Sequence, residues 1–286
     1  MKFLIVVNVF FCLFFLLVLP AFAVSKWESD AERPTMGDNL QYHIQCKNGD
    51  IEKYVLLPGD PGRVDLIADE WDEKKFVASN REYRTFTGKI GGVPLSACST
   101  GIGGSSSAIA VEELAELGAD TFIRVGTCGA IRDGIKCGDL IICSGAVRYD
   151  GASEEYVDIA YPAVANHEII FALIQACKKL GLTYHVGISC STATFHCGQS
   201  RQGFKGYTQS FIETRITDLQ NAGVLNFEME AATILTLSGI YGLRAGGIFV
   251  VVADRNNNTF EYKGIDDSVK AANEAVKILA SWDKEN

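Results

Sequence analysis

From about residue 53 onward the chain alternates short β-rich runs of near-continuous apolar character with longer helical stretches. That pattern constrains the fold more than any other feature of the sequence. The run Ala245 to Ala253 is the plainest case, with Ile248-Phe249-Val250-Val251-Val252 uninterrupted by a polar side chain. A strand with one wet face alternates apolar and polar residues; a strand covered on both faces does not. Lys53 to Leu57, Val93 to Ser99, Thr121 to Val125, Asp139 to Ser144 and His185 to Ser191 read as further strands. Helical stretches are read at Val64 to Glu70, after Gly104 through Leu117, and at His167 to Leu180, Glu228 to Gly239 and Ser268 to Ser281. In the third of these, Ile170, Leu173, Ile174 and Cys177 recur at helical spacing. Strands of this kind between helices predict a layered α/β fold with both sheet faces covered.

The chain has 286 residues, 48% of them apolar, enough to bury a full core. No repeat, low-complexity linker or internal boundary interrupts it, so residues 24–286 are expected to form one domain. Ahead of them, Met1-Lys2 is followed by an apolar run from Phe3 to Val24, ending Leu19-Pro20-Ala21-Phe22-Ala23. A basic start, an apolar stretch, a helix breaker and a small-x-small triplet predict a signal peptide, residues 1–23, cleaved after Ala23. A transmembrane anchor is the competing reading. Cleavage places the mature protein outside the cell or in a secretory or periplasmic compartment. The net charge of −9 argues against a nucleic-acid or anionic-membrane surface, yet leaves room for a small anion held by a local arginine cluster. Of the nine cysteines, Cys12 lies in the leader. Most of the others sit in apolar runs or beside glycines, where a buried free thiol is expected; no Cys/His spacing suggests zinc.

Three segments put polar residues where such folds bind ligands, beyond the carboxyl ends of strands. In Pro58-Gly59-Asp60-Pro61-Gly62-Arg63-Val64, Gly59 lets backbone approach an anion and Arg63 opens a helix whose N–H groups favour one; a plain turn with a solvated arginine explains it equally well. In Ile123-Arg124-Val125-Gly126-Thr127, an arginine inside an apolar strand needs an anionic partner. A structural carboxylate or a bound phosphate would serve. Asn80-Arg81-Glu82-Tyr83 supplies a third arginine on a short polar segment. Together they suggest an oxyanion clamp. The glycine-rich loop Thr100 to Ser107 lacks the Gly-Lys-Ser/Thr of a P-loop, and tight packing against the following helix is its expected role.

The chain resembles the nucleoside phosphorylase-I family, and within it the members that cleave uridine. The matching strings are Pro58-Gly59-Asp60-Pro61-x-Arg63-Val64, Cys98-Ser99-Thr100-Gly101-Ile102-Gly103-Gly104 and Ile109-Ala110-Val111-Glu112-Glu113-Leu114. They continue with Arg124-x-Gly126-Thr127-x-Gly129-Ala130-Ile131, Asp150-Gly151-Ala152-Ser153, Gly198-Gln199-x-Arg201, Glu228-Met229-Glu230-x-Ala232-Thr233 and Gly242-Leu243-Arg244-Ala245-Gly246. They run in order over essentially everything after residue 40. The resemblance implies a three-layer αβα fold around a mixed, twisted and partly barrel-like sheet. It implies phosphorolysis of uridine to uracil and ribose 1-phosphate, with inorganic phosphate as co-substrate and no cofactor.

Carried over position by position, it implies that Gly59, Arg63, Arg124 and Thr127 hold phosphate, with Arg81 reaching into a neighbouring subunit's site. Glu230, beside Glu228 and Met229 and with Thr127 near the sugar, would hold the ribose hydroxyls. His43 would approach the 5′-hydroxyl from the partner, in a homodimer or a hexamer of dimers. Gln199 and Arg201 would read the uracil edge, with Phe195 near the ring and Arg255 alongside. Family members can hold a monovalent cation between subunits, and Glu82, Ile102 and Ser106 stand at matching positions. Asp254 stands where uridine-cleaving members carry asparagine, and purine-cleaving members commonly use an aspartate to protonate the base. A purine nucleoside phosphorylase is therefore the alternative; a secreted, non-catalytic nucleoside-binding or storage protein of the same fold is another. The sequon Asn257-Asn258-Thr259 is expected to be unglycosylated, because a glycan there would crowd the site.

Overall fold

The computed structural model describes residues 30–285; the apolar leader, with the expected cleavage point and Cys12, lies outside the described residues. A small antiparallel pair, β1 (Thr35–Met36) and β2 (Leu40–Gln41), precedes the main sheet. That sheet takes in β3 (Tyr54–Pro58), β4 (Glu73–Asn80), β5 (Tyr83–Ile90), β6 (Val93–Cys98), β7 (Thr121–Ala130) and β8 (Leu140–Tyr149). Its later strands are β9 (Ala163–Val164), β10 (Tyr184–Thr192), β11 (Val224–Glu228), β12 (Arg244–Asp254) and β13 (Thr259–Phe260). The helices are α1 (Pro61–Asp69), α2 (Gly104–Glu116), α3 (His167–Leu180), α4 (Ser210–Asn221), α5 (Ala231–Ile240) and α6 (Ile265–Glu285).

Five of the strands close on themselves. β7 pairs with β12, β12 with β8, β8 with β10, β10 with β11, and β11 returns to β7. β3, β6, β5 and β4 continue the sheet outward from β7. The sheet is thus mixed and partly a barrel, as the family resemblance implies. One apolar core packs α2 and α5 on one face, through Val111, Leu114, Ile234 and Leu237. A second packs α1, α3 and α6 on the other, through Ile67, Leu173, Ala272 and Val276. The near-continuous apolar strands follow from this double cover, and all five residues of β3 are buried.

Local signals set the ends of several elements. Asp60 accepts a hydrogen bond from the Gly62 N–H at 2.9 Å and Pro61 opens α1, a cap contributing about 1 kcal/mol. Asn166 caps α3, and Gly181, at φ 68°, ends it in the left-handed conformation. Gly104 has no room for a side chain, since a Cβ there would lie 2.5 Å from Thr233 Oγ1 and 2.7 Å from Ala152 Cβ. The close approach is between α2 and α5, whereas the sequence pointed to packing against the helix that the loop opens.

One reading needs correction. Glu228 does not open a helix: it ends β11, and α5 begins at Ala231. α4, β4, β5 and β11 are among the elements that were not foreseen. Asn80 to Tyr83 is the tip of the β4–β5 hairpin, with Arg81 at φ 53°. All eight cysteines of the described residues are free thiols, and all but Cys197 are buried. Burial pushes Cys46, Cys98, Cys143 and Cys190 up to about 12, so they stay protonated and inert. Among the described residues no helix is long and apolar enough to cross a membrane.

Candidate active site

The carboxyl ends of β3, β7, β11 and β12 open onto one cavity of about 680 Å³, where α/β sheets bind ligands. Gly59, Arg63, Arg124 and Thr127 are among the residues that line it. A Cβ on Gly59 would sit 3.1 Å from the Gly101 carbonyl and 3.8 Å from Arg124 Nη1, so glycine keeps this corner open. Arg63, from the first turn of α1, is buried; its Nη1 donates to the Val125 carbonyl at 3.2 Å, while its Nε finds no partner within the protein. The loop Thr100 to Ser107 does more than pack, because Gly101 and Ile102 also line the cavity.

Arg124 is 5% exposed and faces two carboxylates. Its Nε donates to Glu228 Oε2 at 3.1 Å and its Nη2 donates to Glu230 Oε2. Nη1 is buried without a partner in the protein, on the side toward Gly59. Glu228 is committed to structure: Oε2 also accepts the N–H groups of Glu230 and Ala231 at 2.9 Å each, and Oε1 accepts the Ser191 hydroxyl. Ser191 Oγ in turn accepts the Ala232 N–H at 2.8 Å. A strand-end carboxylate and one hydroxyl therefore satisfy the first N–H groups of α5, where the helix dipole favours negative charge. Glu230 is fixed from both sides, since its Oε1 accepts the Gly103 N–H at 2.7 Å. Burial pushes the Glu230 carboxyl above its ordinary value, Arg124 pulls it down and Glu228 raises it again.

Phe195, Gln199 and Arg201, on the loop after β10, also line the cavity. Arg201 Nη1 donates to the Phe195 carbonyl at 2.8 Å and to Gln199 Oε1 at 2.6 Å, with its guanidinium carbon 3.9 Å from the Phe195 ring centroid. Burial and the nearby Arg255 bring Arg201 down to about 10, so it remains cationic at neutral pH. Phe195, Phe260 and Ile102 form an exposed apolar rim. The cavity wall thus offers unpaired guanidinium donors on Arg63 and Arg124, the buried Glu230 carboxylate, the Gln199 amide and the Arg201 guanidinium. That set of groups suits an anion, a polyhydroxyl ring and a polar heterocycle.

Residues 53–281 match the Phosphorylase superfamily. The chain belongs to that family. The uridine phosphorylase of Thermococcus kodakarensis is 56% identical over 262 residues, 92% of this chain and 94% of that protein. The uridine phosphorylase of Escherichia coli is 40% identical over 241 residues, 83% of this chain and 94% of the relative. The guanosine phosphorylase of Halorubrum lacusprofundi is 39% identical over 226 residues, covering 79% and 88%.

Arg81, His43, Arg255 and Asp254, also singled out in this phosphorylase sequence, do not line the cavity. Arg81 is exposed at its hairpin tip, with its guanidinium 5.6 Å from the Tyr42 ring centroid. His43 is half-buried beside Tyr42, its Nδ1 2.6 Å from Glu113 Oε1. Glu113 also accepts the His43 and Ile44 N–H groups, a role that nothing in the sequence announced. Arg255 donates to the Gln199 carbonyl at 2.9 Å and the Ser200 carbonyl at 3.4 Å, so it shapes the loop and does not line the cavity.

Asp254 is the sharpest departure from expectation. Its Oδ1 accepts the Asn256 and Asn257 N–H groups at 3.0 and 3.2 Å, and its Oδ2 accepts Asn257 Nδ2 at 2.7 Å. Burial opposes ionisation, yet these donors outweigh it and hold the carboxyl below its ordinary value. Asp254 is thus an ionised turn cap outside the cavity lining, in place of a base-contacting group. Glu82, Ile102 and Ser106 gather at Gly101, where a Cβ would lie 2.7 Å from Glu82 Cγ and 3.3 Å from Ser106 Oγ. Phe260, on the rim, was missed because no motif or periodicity marks the short β13.

Proposed function

We propose that this protein cleaves uridine with inorganic phosphate, giving uracil and ribose 1-phosphate. The observation that carries the reading is the pair of buried guanidinium donors, Arg124 Nη1 and Arg63 Nε, left without a protein partner in the cavity wall beside Gly59. Buried charged donors without acceptors are costly, and a phosphate oxygen satisfies them. A hydrolase of the same fold has no use for such a pair. The uridine phosphorylase relatives support the choice of nucleoside.

In this reading Gly59, Arg63, Arg124 and Thr127 hold phosphate below the sugar, while Glu230, with Met229 packed beside it, accepts the ribose hydroxyl protons. A phosphate oxygen forms the bond to C1′ as the C1′–N1 bond breaks, and the bonding pair leaves with uracil. Negative charge grows on the base, where the Gln199 amide and the Arg201 guanidinium donate to it; they stabilise the transition state more than the ground state. Glu228 contributes by holding Arg124 and the first turn of α5. No organic cofactor or side-chain nucleophile enters. Carboxylate, carbonyl and hydroxyl oxygens suit a hard cation, and Glu82, Ile102 and Ser106 would hold a monovalent one.

A purine base is the second reading, supported by the guanosine phosphorylase relative. The capped, ionised Asp254 weighs against it, because protonating a purine needs a carboxyl that is both neutral and within reach. The assembly proposed is a homodimer or larger, in which Arg81 and His43 complete a neighbour's site. We also propose that the mature protein is secreted or lies in a secretory or periplasmic compartment, on the leader at residues 1–23, with Asn257 unglycosylated because its Nδ2 closes the Asp254 turn. An N-terminus at Val24 and an unshifted mass at Asn257 are the expected signs.

The test is to incubate the protein with uridine, thymidine, inosine and guanosine, with and without phosphate. Uracil release that requires phosphate is expected. Faster purine release would favour the second reading, and no release from any nucleoside would leave a binding or storage role.

A further inference from the structure

We propose that Arg215, on α4, is a positioning residue that fixes the register of the base-reading loop through the Gly198 carbonyl, although it does not line the substrate cavity. Gln199 sits between two peptide groups, and each is held by an arginine from a different element. On the N-terminal side, the Gly198 carbonyl accepts Arg215 Nη1 at 2.9 Å, while the Gly198 N–H donates to Thr194 Oγ1 at 2.8 Å. On the C-terminal side, the Gln199 carbonyl accepts Arg255 Nη1 at 2.9 Å. With both flanking peptides pinned, only side-chain torsions of Gln199 remain free. Its Oε1 is taken by Arg201 Nη1 at 2.6 Å, so Nε2 is the group left to donate into the cavity.

Arg215 is itself well fixed. Its guanidinium carbon lies 4.2 Å from the Phe211 ring centroid and 5.0 Å from that of Tyr149, at the end of β8. Contacts of this kind restrain the planar group and shield it from water. Gly198 fits this tether by lacking a side chain, since a Cβ there would lie 2.7 Å from Thr194 Oγ1. Ser200, one residue past Gln199, has φ 56°, a left-handed conformation that is unfavourable for a serine. The turn therefore stays in place because its carbonyls are tethered. Behind Gly198 and Arg215 lies a second, outward cavity of about 390 Å³, so an untethered loop has space to relax into.

That the loop reads a base rests on the proposed function; the tether itself rests only on geometry. The experiment uses the full chain and two variants, Arg215→Ala and Arg215→Lys. It measures the KM for uridine, the KM for phosphate and amide hydrogen exchange at residues 196–203. For Arg215→Ala, kcat/KM for uridine is expected to fall about 10- to 100-fold while the KM for phosphate stays within about twofold, because the phosphate end shares none of these hydrogen bonds. Exchange across 196–203 is expected to quicken while β7 and β11 keep their protection, and Arg215→Lys, retaining one donor, should recover part of both. Unchanged exchange would overturn the tether, as would a parallel loss at both substrates with a lowered unfolding midpoint. If the unaltered protein releases no uracil, the functional reading fails, while the exchange measurement still decides the tether.

Discussion

At the scale of single residues, the site turns on how few polar groups are left over. Arg124 is held by two carboxylates, and those carboxylates are held by the backbone of α5, by Ser191 and by Gly103. What remains free of Arg124 is Nη1, on the side toward Gly59, with Arg63 Nε as a second unpartnered donor. The sequence predicted an anionic partner for Arg124 and left open whether it was a carboxylate or a phosphate. The structure supplies the carboxylates, and the unpartnered Nη1 keeps the second role available. Asp254 shows where residue-level reading runs out: its position in a motif drew attention to the base, whereas its three donors all come from the turn that follows. Asp254→Asn is expected to leave the ratio of uridine to inosine turnover within about threefold and to lower stability by about 1 kcal/mol, the worth of one lost hydrogen bond. A marked shift of base preference, measured by competing the two nucleosides, would mean that Asp254 reaches the substrate.

At the scale of elements, the strands were legible wherever both faces are apolar, and β3, β6, β7 and β12 were foreseen to within a few residues or in part. β11 was not, because the barrel interior it faces is polar: Asn226 and Glu228 are fully buried, with Asn226 Oδ1 accepting the Ser189 hydroxyl at 2.9 Å. Buried polar residues on a five-residue strand look like a helix start when read alone. α4 escaped for the opposite reason. It lies mostly on the surface, burying Ile212 and Leu219, which is too little periodicity to reveal a helix. The cost was functional, since α4 carries Arg215. The α2–α5 contact tests how firmly elements set the site. Gly104→Ala would press a methyl against Thr233 and Ala152, a displacement expected to destabilise the protein by about 1–3 kcal/mol. It should also loosen the Gly103–Glu230 bond. A thermal melt that matches the unaltered protein would show that the two helices yield more easily than their spacing implies.

At the scale of the whole molecule, one chain's cavity is lined by its own Arg63, Arg124 and Arg201, but not by Arg81 or His43. Arg81 and His43 stand together near Tyr42 on an outer face, away from their own cavity. If that face delivers them to a neighbour, two inactive variants can repair each other. Co-expressed Arg81→Ala and Arg124→Ala chains that pair at random would regain about one quarter of the active sites, because each mixed dimer holds one intact site. No recovery, with mixed dimers shown by mass, would place Arg81 outside the site. Whatever the assembly, in the proposed reaction the unpaired edges of Arg63 and Arg124 bind the phosphate that attacks the sugar. Phosphorus NMR of the protein with uridine and inorganic phosphate tests it most directly. Ribose 1-phosphate is expected to appear in step with uracil, mole for mole. Uracil accompanied by free ribose and an unchanged phosphate signal would contradict it.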